Sequence, residues 1–183
     1  MRKPVVGIMG ASANEGLTGS EEQRLAALAE ELGAVLARRE CLLITGATTG
    51  LTHLVAKAFR ARGGFALGVS PGGDAAEHRR LALPEDGADA IIYTGFGFKG
   101  RNVINVRSSD VVIIFGGATG TLNEFTIAYD EGKIIGVLEG SGGIADHVRD
   151  ILGFCNKPVT DRVLFETSPE TLVDDCLAAL GKI

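Results

Sequence analysis

The sequence has no tryptophan, only 5 prolines, 3 cysteines and 3 histidines, and no run of lysine or arginine. So little proline argues against a disordered, proline-rich polymer. Cys41, Cys155 and Cys176 are odd in number and far apart, which fits reduced cytosolic thiols better than a disulfide framework or a zinc site. His53, His78 and His147 are scattered without partners at ligand or triad spacing, so neither a metal nor a required cofactor is expected. The net charge of −5, with no basic stripe, marks no electrostatic footprint for DNA or RNA. No apolar run approaches the ~20 residues of a membrane span. A cytoplasmic protein with no membrane or nucleic-acid partner is the expectation.

What the sequence has is glycine: 26 of 183 residues, in a chain that is 45% apolar and 22% charged. That length suits one domain over residues 1–183 with one substantial core, and the glycines point to many tight turns. Near the N-terminus, Arg2 and Lys3 precede an apolar stretch and Ala11-Ser12-Ala13 imitates a signal-peptidase site. Val5 to Met9, interrupted by Gly7, is shorter than the roughly 7–15 apolar residues of a signal sequence and reads as a first strand.

Strands then alternate with helices. Ser20 and Gln23 form a capping box ahead of a helix carrying Leu25, Leu28, Leu32, Val35 and Leu36 on one face. Cys41–Thr45 predicts a second strand, followed by a glycine turn and a helix with Leu54, Val55, Ala58 and Phe59. Phe65–Ser70 and Ala90–Thr94 are strands separated by a polar stretch from Asp74 to Asp89. A helix over Arg101–Arg107, a strand over Asp110–Phe115, a helix over Thr119–Glu131 and a strand over Lys133–Leu138 continue the pattern. Helices at Ile144–Leu152 and Pro169–Leu180 flank a short strand at Val163–Phe165. Such alternation predicts a Rossmann-like doubly wound parallel sheet with helices on both faces, whose ligand sits beyond the carboxyl ends of the strands where the strand order reverses.

Three predicted strands end in glycine-rich turns: Gly10-Ala11-Ser12, Gly46 to Gly50 with Thr49 inside it, and Gly116 to Gly120. Any one of them could serve backbone geometry alone. In the last, Gly117, Ala118, Thr119, Gly120 and Thr121 open a helix, where free N–H groups and the dipole favour an anion such as phosphate. No turn continues into Gly-Lys-Ser/Thr, which disfavours a P-loop NTPase. Gly95 to Gly100 is a literal G-x-G-x-x-G, but it does not follow the first strand and has no acidic residue about 20 positions on, since position 115 is Phe. NAD is not expected there, although this loop, Gly95 and Gly97 included, could still line the site. Glu124 lies one helical turn beyond the phosphate turn, near where a bound sugar would be, or is an ordinary first-turn carboxylate favoured by the dipole. Arg101 faces a ligand, lies on the surface or pairs with Asp110.

Arg101, Ser109-Asp110 and Gly116 through Glu124 resemble the P-G-G-x-G-T-x-x-E signature of the LONELY GUY proteins, the cytokinin riboside 5′-monophosphate phosphoribohydrolases often mislabelled lysine decarboxylases. Gly10-Ala11-Ser12, Gly46 to Leu51, and Gly63-Gly64 with Gly68-Val69 fall where that family has further glycine elements, so the likeness spans roughly residues 4–140. The resemblance implies hydrolysis of the N-glycosidic bond of an AMP-like nucleotide, with Gly117, Gly120 and Thr121 on the phosphate and Arg101 and Glu124 as the catalytic pair. It also implies a homodimer or higher homo-oligomer. Gly116, Ala118 and Asn102 stand where the family has Pro, Gly and Lys. Thr94-Gly95 with Gly97, and Arg101 with Ile104-Asn105 and Ser108-Ser109, look more like a neighbouring branch that includes molybdenum cofactor carrier proteins. That likeness implies a non-catalytic carrier or sensor for molybdopterin or another phosphate-bearing ligand. A pyridoxal phosphate decarboxylase is not expected, because Lys57, Lys99 and Lys133 have no evident pyridinium partner.

Overall fold

In the computed structural model, which describes residues 2–12 and 19–181, seven strands form one sheet. They are β1 (Val5–Gly10), β2 (Leu42–Thr45), β3 (Ala66–Ser70), β4 (Ala90–Tyr93), β5 (Val111–Phe115), β6 (Ile134–Leu138) and β7 (Val163–Glu166). All adjacent pairs are parallel, in the order β4-β3-β2-β1-β5-β6-β7. Parallel strands covered on both faces lose the polar alternation of a half-exposed sheet. Accordingly Val111 to Phe115 are all at most 1% exposed. This is the expected single-domain α/β Rossmann-like fold. The Val5–Met9 stretch is the sheet's central strand, paired with β2 on one side and β5 on the other.

The helices are α1 (Gly19–Ala37), α2 (Leu51–Arg60), α3 (Ala75–Arg80), α4 (Gly97–Ser108), α5 (Thr119–Asp130), α6 (Val148–Phe154) and α7 (Pro169–Leu180), with a 3₁₀ turn over Gly143–His147. Leu25, Leu32, Val35 and Leu36 of α1, Val55 and Phe59 of α2, and Leu172 and Cys176 of α7 pack one face of the sheet. Val106, Phe125, Ala128, Val148 and Leu152 cover the other through α4, α5 and α6. The α1–α2 crossing is close because Gly33 has no side chain: a Cβ there would stand 2.6 Å from both the Ala58 Cβ and the Val55 carbonyl oxygen.

Three expectations need correction. α1 begins at Gly19, one residue ahead of the Ser20 expected to cap it; Ala13, in the imitation cleavage site, is outside the described residues. The polar stretch from Asp74 contains α3, capped by Asp74, whose carboxylate accepts from Glu77 N at 2.7 Å while Glu77 accepts from Gly73 N at 2.7 Å. Finally, α4 starts four residues before Arg101 and absorbs most of the G-x-G-x-x-G segment. Gly95 and Gly97, with φ of 67° and 66°, turn the chain into that helix, and their amides donate to Gly72 O and Pro71 O.

Candidate functional site

The strand order reverses between β1 and β5, so the helices that follow them leave on opposite faces and open a crevice at the strands' carboxyl ends. A cleft of about 710 Å³ lies there, floored by Ile8 and Met9 and reached by α1, α2, α4 and α5. The two strand ends nearly touch: Ala11 N donates to Phe115 O at 3.3 Å, and a Cβ on Gly10 would stand 2.3 Å from that oxygen.

Gly10, Ala11, Ser12, Gly46, Arg101, Gly117, Ala118, Thr119, Gly120, Thr121 and Glu124 all line this cleft. Thr49, Gly50, Gly95, Gly97 and Asn105 do not. The first two instead brace the chain leaving β1, since the Thr49 hydroxyl donates to Ser12 O and Leu51 N to Ala11 O, with Gly50 packed against them. Gly95 and Gly97 face the loop after β3. Asn105 sits beneath the cleft, wholly buried.

The turn after β5 owes its shape to two glycines with positive φ, Gly116 at 61° and Gly117 at 92°. Its carbonyls are engaged by Ala145 N and Ile144 N, and Gly116 N donates to the Ser141 hydroxyl at 2.9 Å. The helix that follows has no such support at its start: Ala118 occupies the N-cap and makes no side-chain cap. The first N–H groups of a helix have no intrahelical partner. Those of α5 open into the cleft, an arrangement that suits an anion.

Deeper in the cleft, α4 and α5 each contribute one member of a buried ion pair. Arg101 Nη1 donates to Glu124 Oε1 at 2.9 Å, and each side chain is only 8% exposed. The same nitrogen donates to Asn102 Oδ1 at 2.6 Å, and Asn102 Nδ2 donates to Asn123 Oδ1 at 2.9 Å. The surrounding hydrogen bonds assign the Asn105 amide, whose oxygen accepts from Arg101 Nη1 and Gly46 N, both at 3.2 Å. The guanidinium lies directly on Gly46, where a Cβ would stand 2.1 Å from Nη2. Burial pushes Glu124 above the ordinary glutamate range, with Arg101 and the Lys99 charge opposing the shift, and it pushes Arg101 down, with Glu124 opposing. Such a pair is expensive to desolvate and adds little stability over apolar packing, so its presence in a cleft marks a functional candidate. Two buried polar atoms in the cleft walls have no partner among the described residues, Arg101 Nε and Thr52 Oγ1.

These contacts decide between the open readings of two residues. Arg101 is neither a surface residue nor bonded to Asp110, which is held by Arg2 at 2.6 and 2.7 Å. Glu124 is not an exposed first-turn carboxylate. The histidines stay out of the cleft: His53 and His147 pair with Asp86 and Asp150, and His78 is buried against Ser70. Of the Gly95–Gly100 loop expected to line the site, Phe98 and Lys99 do so, as does Thr48 of the turn after β2; sequence reasoning missed Arg24, Thr52, Ser141, Gly142 and Gly143, which also line the cleft. Lys99 was legible in principle: once α4 is started at Gly97, positions 99 and 102 share a face one turn apart. The Ser141–Gly143 wall carries no motif and only the fold brings it in. Among the described residues no cluster of three metal-ligating side chains occurs, and no helix is long and apolar enough to cross a membrane.

An uncharacterised protein of Archaeoglobus fulgidus is 32% identical over 139 residues, covering 76% of this chain and 82% of that one. A cytokinin riboside 5′-monophosphate phosphoribohydrolase of Mycobacterium tuberculosis is 35% identical over 108 residues, covering 58% of this chain and 55% of that one. The molybdenum cofactor binding protein of Rippkaea orientalis superposes with a TM-score of 0.72 at 27% identity, covering 100% of this chain and 98% of that one. The model of the SLOG cluster4 family matches residues 3–173, and the chain belongs to that family.

Proposed function

We propose that the cleft binds a nucleoside 5′-monophosphate and that the protein is a phosphoribohydrolase, cleaving the N-glycosidic bond to release a base and ribose 5-phosphate. The observation that carries this reading is the buried Arg101–Glu124 pair one helical turn beyond the uncapped start of α5, in one cleft. Phosphate on the Gly117–Thr121 amides sets the sugar beside Glu124. The bond between C1′ and the base nitrogen breaks, the departing base takes its electron pair and a proton, and water supplies hydroxide to C1′. Positive charge develops on the sugar as in glycoside hydrolysis, and a carboxylate in a water-poor site stabilises that charge and orients the water. Arg101 holds Glu124 in place, and Asn102 and Asn105 hold Arg101. Water is the only co-reactant, so no cofactor or metal is required. The phosphoribohydrolase relative supports this reading, and we place the protein in the cytoplasm as a homo-oligomer.

Incubation with AMP is expected to yield adenine and ribose 5-phosphate by chromatography, with Glu124→Ala abolishing release while AMP still binds. Unchanged turnover in Glu124→Ala would reject the mechanism.

The size of the cleft favours a second reading. At about 710 Å³ it lies in the upper part of the roughly 300–1,000 Å³ range for small-molecule sites, room for a larger phosphate-bearing ligand such as molybdopterin. The molybdenum cofactor binding relative supports a carrier of that kind. In that case purified protein from a cofactor-competent host carries molybdenum and a pterin absorbance and releases no base from any nucleotide.

A further inference from the structure

We infer that Lys99 clamps the ligand's phosphate against the first turn of α5 and thereby selects 5′-phosphorylated ligands over neutral nucleosides. This rests on the phosphate end of the site proposed above, but not on the bond cleavage.

Lys99 belongs to the exposed first turn of α4, yet its ammonium reaches across the cleft, within 3.4 Å of where a Cβ on Gly120 would stand. The cation therefore sits over the helix start that has no side-chain cap. No carboxylate of the described residues forms an ion pair with it, whereas the other α4 cation in the cleft, Arg101, is neutralised by Glu124. Glu124 does feel the Lys99 charge, which works to lower its pKa against the effect of burial. Two buried polar atoms on residues that line the same cleft, Thr52 Oγ1 and Arg101 Nε, have no partner among the described residues.

The order of groups along α5 gives each a separate task. Gly120 and Glu124 are about one turn apart, about 6 Å along the axis. Lys99 thus serves the end nearest the backbone amides, and Glu124 the next group inward. An ammonium is a mobile point charge that binds phosphate without the fixed fork of a guanidinium. At the mouth of the site it adds a charge-assisted contact to the helix N–H groups, and a ligand lacking phosphate gains nothing from it.

The test uses the full chain with ribose 5-phosphate and inorganic phosphate as probes, read by the backbone amide NMR shifts of Gly120 and Thr121. Saturable shifts are expected, with Lys99→Gln weakening the apparent affinity about tenfold, the scale of one hydrogen bond to a charged group. Lys99→Arg is expected to restore most of the loss. Lys57→Gln, the same charge change on α2 where Lys57 pairs with Asp86 outside the cleft, leaves affinity unchanged. Equal affinity in wild type and Lys99→Gln overturns the inference, as does equal weakening by Lys57→Gln or silence of Gly120 and Thr121 towards both probes. If Lys99→Gln weakens phosphate binding but AMP yields no adenine, the clamp stands and the hydrolase reading falls. If adenine is released with no dependence on Lys99, the clamp falls and the hydrolase reading stands.

Discussion

Gly46 works by lacking a side chain. The Arg101 guanidinium occupies the space where a Cβ would be, 2.1 Å from Nη2 and 2.3 Å from Cζ. Gly46→Ala must therefore push Arg101 off Glu124 or shift the end of β2. Displacements of this kind near reacting groups cost about 10²-fold in rate. We expect kcat/KM for nucleotide cleavage to fall by about that factor with the far-UV circular dichroism unchanged; a fall below threefold would show that the guanidinium position is not critical. Glu124 gives a pH prediction. Burial raises its pKa, so on acidification it protonates at higher pH than an ordinary glutamate, and a reaction needing the carboxylate ion loses rate from that higher pH downward. The acid limb of the kcat/KM profile should lie above 4.5, the reference value for a free glutamate. The spacing of Gly117 and Glu124 was legible in the sequence, because the phosphate turn and the carboxylate share one helix, whereas Arg101, on α4, was placed with them only through the family resemblance. The burial of the Arg101–Glu124 pair was not legible, since it depends on Gly46, from a separate strand end.

The helices show where local signals suffice and where they compete. Pro169 at the first helical position, with the Ser168 side chain accepting from Thr171 N, fixes the start of α7, and its expected span was the observed one. In α3 the cap signal was present as Asp74 and Glu77, but only one buried side chain, His78, follows it, so periodicity gave no support. At α4 the glycines of the G-x-G-x-x-G segment outweighed the helix signal, although the positive φ they supply is needed only at Gly95 and Gly97, on entry. At α5 the missing cap is itself a prediction. Ala118→Asp would give the helix the side-chain acceptor it lacks and add roughly 0.5–2 kcal/mol to stability. The same carboxylate occupies the free amides and repels phosphate. Denaturant unfolding should show the gain while ribose 5-phosphate binding is lost; binding retained in this variant would mean that the anion sits elsewhere.

For the whole molecule, the reversal of strand order at β1 and β5 makes site and sheet inseparable. The alternation of strands and helices in the sequence indicated a doubly wound sheet; the strand order itself is set by right-handed crossovers and by which helices share a face. One of those faces carries two natural reporters. Cys41, at the entry to β2, and Cys176, on α7, lie in the same core, and burial pushes their thiols up to about 11 and about 12. Cys155, after α6, is exposed. A thiol reagent at pH 8 should therefore label Cys155 at once, and Cys41 and Cys176 only as the sheet opens, at a common rate that rises with denaturant. A ligand that binds only the native cleft holds the β1–β5 junction closed, and at about 100 times its dissociation constant it lowers the open population about 100-fold. Saturating ribose 5-phosphate should slow both core cysteines by that factor and leave Cys155 unaffected. Protection of neither core thiol by a ligand that shifts Gly120 and Thr121 would mean that the site opens independently of the sheet.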